Sequence, residues 1–515
     1  MSGVTGRDLG YLFARAVATT PDKVALIQDA TALTYDELDR RANRVARAFK
    51  GAGIESGDRV VLLFDNDYRF LECYFGALRA WAVVVPVNHR LSNETVTYIL
   101  DHCDGRVLVC SANLVDRAAE CVRAAGKIEP IVALDRSGPG LVSYEDWVAA
   151  ASWDPPEASG SEDAIAIQAY TAGSTGKPKG CLLSHSGQLW TVAATAPLLS
   201  LSPEDRAIVA APLGHKNATW AIKRLLFVGG SVVLMPAFDP ETYLAAIARH
   251  GVTCTTGVPA MYQMLLARPE LFTRYDTRSV RFCFFGSAQV PSRIQEVIPK
   301  YFPNARIRET YGATEAGLLI QPPDGSPGLV PIAGTEVRVI REDRSDCEPD
   351  EVGEIAIKNP GVARAYYKNP EATGERIRDG WYYTGDLVRR TSQGRYYVVG
   401  RKDDMIITGG ENVYPKEVED ILQRHPQVAE ACVVSVSHPI KGQVPVAFVV
   451  LREPKELTEP ELKAFFLAHG AAFAHPRRVL FVDALPLSAP GKVDRNALRA
   501  QAETVVRDAN AQVTG

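Results

Sequence analysis

Strand-like and helix-like segments alternate along most of this chain. The stretch "LTYDELDRRANRVARAFKGAG" carries apolar residues at helical spacing and ends in glycine, and the later "DRVVLLF" is a continuous apolar run typical of a buried strand. The alternation starts near Leu9, and it resumes after residue 180 with "GGSVVLM", "DPETYLAAIARHGVTCTTGVP" and "VRFCFFGSA". Strands separated by helices predict mainly parallel sheets covered by helices, so the fold class is α/β.

The pattern changes twice towards the C-terminus. Between residues 335 and 400, the stretches "TEVRVIRED", "GEIAIKN" and "WYYTGDLVRRTSQGRYYVVG" indicate an antiparallel sheet or a small barrel. Beyond residue 400 a short α+β pattern returns, which is long enough for a small separate domain. Because 515 residues exceed what one hydrophobic core usually supports, we predict a large domain at 1–402 and a small one at 403–515.

Composition argues against several classes of protein. The formal net charge is -4, without the basic excess of nucleic-acid binders, so we expect no nucleic-acid partner. The N-terminal stretch lacks the features of a signal peptide, and no apolar run reaches membrane-spanning length, so we expect no membrane span. The nine cysteines form no CxxC pair and the histidines form no ligand pair. We therefore expect buried thiols in a reducing cytoplasm.

The loop "YTAGSTGKPKG" at residues 170–180 has the composition of a phosphate-binding loop. Its glycines allow backbone N–H groups to approach an anion, its hydroxyls add donors, and its lysines supply charge. It is not a Walker loop, because Lys177 is followed by Pro178 instead of Ser or Thr. The flanking "DAIAIQAY" and "CLLSH" predict that it joins two strands. A plain glycine-rich turn is the alternative interpretation.

Four further stretches combine in a fixed order with this loop. "ETYGATEAG" places Thr314 beside Glu315, a donor next to a carboxylate suited to a phosphate and its magnesium. "WYYTGDL" carries Asp386, "GRKDDMIITGGENVYP" carries Arg401, and "SAPGKVDRNALR" sets Lys492 in a Pro/Gly turn. Taken singly, each is also explained as an ordinary turn or a solvated charge.

Together the five stretches resemble the adenylate-forming superfamily of acyl-CoA synthetases, nonribosomal adenylation domains and luciferases. The resemblance runs from about Leu9 to Arg499. It implies a large N-terminal domain of two mainly parallel sheets and a small β-barrel, followed by a small mobile α+β C-terminal domain. It also implies two half-reactions, in which a carboxylic acid and ATP give an acyl-adenylate and pyrophosphate, and a thiol such as coenzyme A then displaces AMP. ATP, Mg²⁺ and coenzyme A are the implied cofactors.

The resemblance assigns a nucleotide site. The residues that it implies for the phosphates are Thr171, Ser174, Thr175, Gly176 and Lys179. The residues that it implies around the adenine are Gly286, Ser287, Ala288 and Tyr311, and those that it implies at the ribose are Asp386 and Arg401. By the same resemblance Thr314 contacts the α-phosphate, Glu315 holds Mg²⁺, and Lys492 bridges the carboxylate and the α-phosphate in the adenylation transition state.

The acid site is implied around "APLGHKNATW". His215 occupies the position that gates the pantetheine tunnel, and the resemblance places the residues facing the acid at Lys216, Asn217, Ala218 and Gly312. Amino-acid-activating relatives usually carry an aspartate at the His215 position, so its absence argues against an α-amino acid. Gly214 replaces the usual bulky aromatic residue, and the loop residues Ala172 and Ser174 depart conservatively from the common pattern.

The polar residues after His215 favour a compact acid with a polar far end. A buried amide without a partner is costly, so we expect Asn217 to be hydrogen-bonded, either by the ligand or by neighbouring backbone. If neighbouring backbone is the partner of Asn217, we expect Lys216 to point to solvent. The resemblance also implies a hinge at Asp403 and a tunnel-wall role for Gly410, which a turn needing positive φ would equally explain.

The function expected from these residues is that of an AMP-forming acid–CoA ligase. One alternative is an adenylating enzyme that loads a carrier protein in trans, and another is a ligase for medium- or long-chain fatty acids. A third is a nucleotide-binding scaffold without activity, which predicts loss of the catalytic lysine or the magnesium carboxylate, and both are present. A homodimer is compatible with the sequence, which defines neither the oligomeric state nor the acid.

Overall fold

The computed structural model describes residues 8–126, 128, 130–157, 160–171, 177–285, 292–316, 318–322, 324–452, 457–488 and 492–513. The packing divides the chain into two compact units, Met1–Val337 with Ile357–Tyr383, and Arg338–Ala356 with Thr384–Gly515. The domain border that the sequence predicts between residues 402 and 403 marks the hinge about which the small C-terminal domain is expected to turn. It stays a prediction.

The α-helices of the described chain are α1 (Ala14–Thr19), α2 (Tyr35–Gly51), α3 (Arg69–Arg79), α4 (Asn93–His102), α5 (Val115–Ala125), α6 (Tyr144–Ala149), α7 (His185–Thr195), α8 (Lys216–Val228), α9 (Pro240–His250), α10 (Pro259–Leu266), α11 (Leu271–Arg274), α12 (Ser292–Tyr301), α13 (Pro370–Arg376), α14 (Pro415–Gln423), α15 (Glu459–His469) and α16 (Arg495–Val513). Within this part of the chain, none of the helices combines the length and the apolar character needed to cross a membrane.

The strands are β1 (Val24–Gln28), β2 (Thr31–Thr34), β3 (Arg59–Phe64), β4 (Val83–Asn88), β5 (Gly105–Cys110), β6 (Ile131–Ala133), β7 (Leu141–Ser143), β8 (Ile165–Thr171), β9 (Lys179–Ser184), β10 (Arg206–Val209), β11 (Ser231–Leu234), β12 (Cys254–Gly257), β13 (Phe282–Phe285), β14 (Arg306–Gly312), β15 (Leu318–Ile320), β16 (Val330–Pro331), β17 (Glu336–Ile340), β18 (Val352–Lys358), β19 (Ala365–Tyr366), β20 (Ile377–Arg378), β21 (Trp381–Arg390), β22 (Tyr396–Arg401), β23 (Ile406–Thr408), β24 (Glu411–Val413), β25 (Val428–His438), β26 (Gly442–Leu451), β27 (Arg478–Phe481), β28 (Leu487–Ser488) and β29 (Lys492–Val493).

The first unit is built on two large sheets. One has nine strands in the order β16-β15-β14-β13-β12-β10-β11-β1-β2, and the run from β14 to β1 is parallel. The other has eight strands in the order β19-β9-β8-β4-β3-β5-β6-β7, and the run from β8 to β7 is parallel. The expected α/β class with two mainly parallel sheets is confirmed.

Local signals in the sequence explain how the covering helices form. The N-cap of α2 is Thr34, whose hydroxyl accepts from the backbone of Glu37 while the Glu37 carboxylate accepts from the backbone of Thr34. Helix α3 lies close against α2, because a Cβ at Gly76 would meet the side chain of Val45 at 2.6 Å. The glycine therefore sets how near the two helices approach.

Sheets with mainly antiparallel pairs follow in the remainder of the chain. A five-stranded sheet has the order β17-β18-β21-β20 with β22 against β21, and its β20–β21 and β21–β22 pairs are antiparallel, in the region where the sequence predicts such strands. The second unit holds the sheet β24-β23-β26-β25, with β27 parallel to β26. Apolar side chains from this sheet pack with those of α14 and α15 into a separate small core.

Candidate active site

The phosphate-loop segment joins two adjacent strands of the eight-stranded sheet, as the sequence predicts. Strands β8 and β9 pair antiparallel, with Thr171 opposite Lys179. The loop positions Ser174, Thr175 and Gly176 lie outside the described residues. The loop therefore begins after Thr171 and ends before Lys179.

Glu315 is the centre of a cluster drawn from three separate segments of the first unit. Its side chain is buried in the turn that follows β14. Tyr366 in β19 donates its hydroxyl to Oε1 of Glu315 at 2.8 Å, and Thr171 donates its hydroxyl to the same oxygen at 3.4 Å. Both hydrogen bonds use Oε1, so among the described residues Oε2 is left without a hydrogen-bond partner.

Lys179 lies beside this cluster. The register of β19 places Tyr366 opposite Cys181 in β9, two residues after Lys179, and the Lys179 ammonium is 5.5 Å from the Tyr366 ring centroid. Burial, followed by the charge of Glu315, raises the pKa of the Tyr366 hydroxyl above its ordinary value, so the group stays protonated and acts as a donor. A carboxylate held by two donors and a nearby ammonium is suited to a metal–phosphate complex.

The donor set fits Mg²⁺ that is carried in by a nucleotide. In the part of the chain that the structure describes, no three His, Cys, Asp or Glu side chains gather to hold a metal ion. Mg²⁺ in phosphoryl-transfer sites is usually bound through one or two carboxylates plus substrate phosphates. Glu315 with its available Oε2 could supply the one protein carboxylate of such a complex.

The segment that the sequence predicts to face the acid forms the start of helix α8. His215 is its N-cap residue, and Nδ1 of His215 accepts the backbone N–H of Asn217 at 3.2 Å. The neutral ring then carries its proton on Nε2. A Cβ at Gly214 would lie 2.5 Å from the carbonyl oxygen of Val87 in β4. This close backbone approach explains why a bulky residue is absent at that position.

Lys216 points towards the Glu315 turn and not to solvent. Its ammonium donates to the carbonyl of Thr314 at 2.7 Å and, at 3.4 Å, to that of Ala313. Burial lowers its pKa, an effect that the nearby Cys181 and Glu315 oppose. The half-buried Asn217 side chain has no hydrogen bond to any residue that the structure describes. The interpretation in which neighbouring backbone satisfies Asn217 and Lys216 reaches solvent is therefore wrong.

Two of the remaining predicted positions of the first unit lie in β14. Tyr311 and Gly312 are its last two residues, opposite Leu319 and Leu318 of β15. Ala218 is buried in α8. The predicted adenine residues Gly286, Ser287 and Ala288 lie outside the described residues.

In the second unit the two predicted ribose residues are paired with each other. Asp386 in β21 stands opposite Arg401 in β22, and the Arg401 guanidinium lies 2.8 Å from the Asp386 carboxylate. Asp403 is exposed in a short 3-10 helix, Lys402–Asp404, directly after β22. Lys492 begins β29, where its backbone is paired with Ser488 of β28. Of the predicted residues in this unit, Asp386 and Arg401 are the two that these contacts bring together.

Gly410 lies in a two-residue hairpin turn between β23 and β24. Thr408 pairs with Glu411 across the turn, and Gly409 and Gly410 have φ of 62° and 90°. Both values lie in the left-handed region that favours glycine, so the turn alone accounts for the residue. The tunnel-wall role of Gly410 stays a prediction.

Sequence reasoning missed three side chains of the first unit. Tyr366 carries no local signal, because only the pairing of β19 with β9 brings it to Glu315. Lys223 and Arg224 in "TWAIKRLLFV" carry a signal that was available: they are two charged residues inside an otherwise apolar helical stretch. Lys223 also follows Lys216 by seven residues, which is two helical turns along one face.

Comparison with known proteins identifies the class of enzyme. The family model for AMP-binding enzymes matches residues 13–367, and the model for the C-terminal domain of AMP-binding enzymes matches residues 417–492. The chain therefore belongs to the AMP-binding enzyme family, the AMP-forming acid–CoA ligases, and the resemblance inferred from the sequence is confirmed.

Individual relatives match over nearly their whole length. A feruloyl-CoA synthase from Amycolatopsis is 35% identical over 501 residues, covering 95% of this chain and 98% of the relative. An indoleacetate–CoA ligase from Aromatoleum aromaticum is 33% identical, covering 94% of this chain and 96% of the relative. The crystal structure of ATP-bound MatB from Rhodopseudomonas palustris superposes with a TM-score of 0.88 at 30% identity, covering 96% and 99% of the two chains.

Proposed function

We propose that this enzyme activates a carboxylic acid with ATP to form an acyl-adenylate and pyrophosphate, and then transfers the acyl group to coenzyme A, releasing AMP. The acid we propose is a compact aromatic or polar one, which agrees with relatives named for feruloyl-CoA and indoleacetate. The observation that carries the proposal is the buried Glu315 carboxylate, held by Tyr366 and Thr171 at the end of the phosphate-loop strand.

The first half-reaction brings two anions together. A carboxylate oxygen attacks the α-phosphate, so the site must offset negative charge on both reactants and on the departing pyrophosphate. We assign that task to Lys179 and to the loop residues Ser174, Thr175 and Gly176, with Thr314 at the α-phosphate. Lys492 supplies a further charge between the carboxylate and the α-phosphate. Gly286, Ser287, Ala288 and Tyr311 surround the adenine in this assignment, and Asp386 and Arg401 hold the ribose.

Glu315 would hold the Mg²⁺ of the nucleotide through Oε2, and when bound the ion supplies charge stabilisation to the phosphates. Tyr366 and Thr171 fix the carboxylate by donating to Oε1, so the second oxygen is oriented before the nucleotide arrives. Lys216, anchored on the carbonyl of Thr314, joins this turn to the start of α8, which we assign to the acid together with Asn217.

The second half-reaction requires the thiol to reach the same carbonyl carbon. We assign His215 to the gate of the pantetheine path and Gly410 to its wall, and we assign Asp403 to the hinge about which the small domain turns between the two steps. The nine buried, unpaired cysteines are compatible with the cytoplasmic location that we propose.

The test measures pyrophosphate release with a panel of acids, with and without coenzyme A, on the full chain. Glu315→Gln keeps an acceptor for Tyr366 and Thr171 but removes the charge, so we expect pyrophosphate release to fall by about 10²–10³-fold, the usual cost of losing one electrostatic contact to the transition state. The matched control is Glu371→Gln, a change at an exposed carboxylate in the first turn of α13.

Two results would overturn the proposal. If no acid in the panel supports pyrophosphate release, the chain does not form adenylates from these acids. If release occurs but only a carrier protein, and not coenzyme A, accepts the acyl group, the carrier-loading alternative is correct. A Glu315→Gln variant as active as Glu371→Gln would remove the metal assignment alone.

A further inference from the structure

Helix α8 buries two cations in the interior of the first unit. The Lys223 and Arg224 side chains belong to residues that are 1% and 2% exposed, in the second half of the helix. Among the described residues neither forms a salt bridge with a carboxylate. Buried cations are usually paired, because burial removes their hydration without replacing it. This pair is therefore an exception that the fold does not explain.

Arg224 uses only part of its hydrogen-bonding capacity. Its Nε donates to the carbonyl of Trp220 at 3.4 Å, and its guanidinium carbon lies 3.3 Å from the Trp220 ring centroid and 5.4 Å from that of Phe284 in β13. One terminal nitrogen of Arg224 and the indole nitrogen of Trp220 are buried without a hydrogen-bond partner in the described part of the chain. Both atoms are donors, so the group that they lack is an acceptor.

Lys223 shows the same deficit. Its ammonium donates to Oε1 of Gln188 in α7 at 3.2 Å, and Gln188 is itself only 2% exposed. An ammonium has three donors, and the described residues accept from one of them. Burial, together with the charge of Lys216, lowers the pKa of Lys223 to about 7. An anion at this place would satisfy donors and charge at the same time.

Lys223 and Arg224 lie on the same helix as the segment that we assign to the acid. Lys216 contacts the Thr314 carbonyl at one end, and Lys223 follows it by seven residues, or about 10 Å along the same helix face. Helix α8 therefore extends from the turn that carries Glu315 to the buried donors of Lys223 and Arg224.

We propose that Lys223 and Arg224 form a subsite for a second anionic group at the far end of the acid, so that the substrate is an organic acid bearing a distal carboxylate or sulfonate. This inference rests on the proposed function. The distal anion accepts hydrogen bonds from both cations, and the first carboxylate is the one that is activated.

The experiment compares wild-type kcat/KM for isosteric pairs of acids that differ in the distal charge. The pairs are malonate and malonamate, succinate and succinamate, and terephthalate and 4-carbamoylbenzoate, with 4-sulfobenzoate as the sulfonate arm. We expect the dianion to exceed its amide by about 10²-fold at one spacer length, as for a buried, hydrogen-bonded charge pair. Comparison of terephthalate with 4-sulfobenzoate identifies the anion that the subsite prefers.

Variants then test whether this preference comes from α8. Lys223→Met and Arg224→Gln should each reduce the ratio between dianion and amide by about 10-fold or more. The control is Lys300→Met, because Lys300 is an exposed cation in α12. It should leave the ratio unchanged. The thermal melting temperature of each variant shows whether it folds, and the wild-type panel decides the inference even if a variant does not.

The outcomes separate the two hypotheses. Pyrophosphate release with the monoanionic amides, which lack only the distal charge, or with unsubstituted benzoate, and no preference for any dianion, overturns the subsite while the ligase function stands. A dianion preference that both α8 variants retain also overturns it. Failure of every acid overturns the proposed function itself.

Discussion

Two buried arginines of the first unit have opposite surroundings. Arg79 in α3 is 1% exposed, and its guanidinium donates to the Gly10 carbonyl at 2.9 Å, to the Asn43 side chain at 2.7 Å and to the Asp39 carboxylate at 2.7 Å. Arg224 in α8 is buried to the same degree, but it has one backbone acceptor, an aromatic face and an unpartnered nitrogen.

The difference indicates that Arg79 stabilises the fold, whereas Arg224 is buried without enough hydrogen-bond acceptors. Arg79 joins the N-terminal segment to α2 and α3 through acceptors that all belong to the protein. Burial lowers the pKa of Arg224 to about 9, which means that its surroundings disfavour the charge. Natural proteins retain such local defects mainly where function requires them. Three substitutions test the contrast.

The largest effect is expected for Arg79→Met. The substitution removes the Arg79 donor from Oδ1 of Asp39 and from the Asn43 and Gly10 oxygens. Loss of one partner from a buried charge pair typically costs about 3–5 kcal/mol. We expect the free energy of unfolding to fall by that amount and the melting temperature with it, measured by urea denaturation and calorimetry. A melting temperature equal to that of the wild type would show that Arg79 does not hold these segments together.

How far the sequence predicts the fold depends on the range of the interactions. The helix over Tyr35–Gly51 and the strand over Arg59–Phe64 follow from local periodicity and capping, and the structure confirms both. The pairing of β19 with β9 does not follow, because about 180 residues separate the strands and no local pattern encodes their register. Tyr366 was missed for that reason.

The candidate site divides in the same way. Glu315 and Thr171 were found from motifs, and the structure brings them into contact. Lys216 was found, but its partner was not, because a backbone carbonyl acceptor leaves no trace in the sequence. Lys223 and Arg224 were visible as charges in an apolar helix, yet only the tertiary packing shows that they face the interior instead of solvent.

Lys223→Met should give a smaller effect of the opposite sign. The folded pKa of about 7 lies below the ordinary value of 10.5, and the charged group that acts on it is Lys216, while its contact Gln188 is neutral. Between these values the unfolded chain binds more protons, so wild-type stability rises with pH, and the full cost of the buried charge applies below pH 7. The variant removes that cost.

We therefore expect Lys223→Met to be more stable than the wild type by about 1–3 kcal/mol at pH 6, after allowance for the lost hydrogen bond to Gln188. The gain should shrink steadily as the pH rises towards 10. Melting temperatures of both proteins from pH 6 to pH 10 measure this difference. A gain that is constant with pH would show that it arises from packing and not from the charge.

Arg224→Met should change the stability least, and it decides whether the contrast with Arg79 is real. The variant loses the contact of the guanidinium with the Trp220 ring, worth about 0.5–2 kcal/mol, and the weak hydrogen bond to the Trp220 carbonyl. It gains the removal of a buried charge and of an unsatisfied donor, which is of similar size. The two contributions nearly cancel, so we expect the free energy of unfolding to remain within about 1 kcal/mol of the wild type.

Urea denaturation of Arg79→Met and Arg224→Met under one condition provides the comparison, since both changes replace a buried arginine by the same apolar side chain. If Arg224→Met is destabilised as strongly as Arg79→Met, then Arg224 is a structural residue whose partners are sufficient, and the reason for assigning it to a ligand disappears.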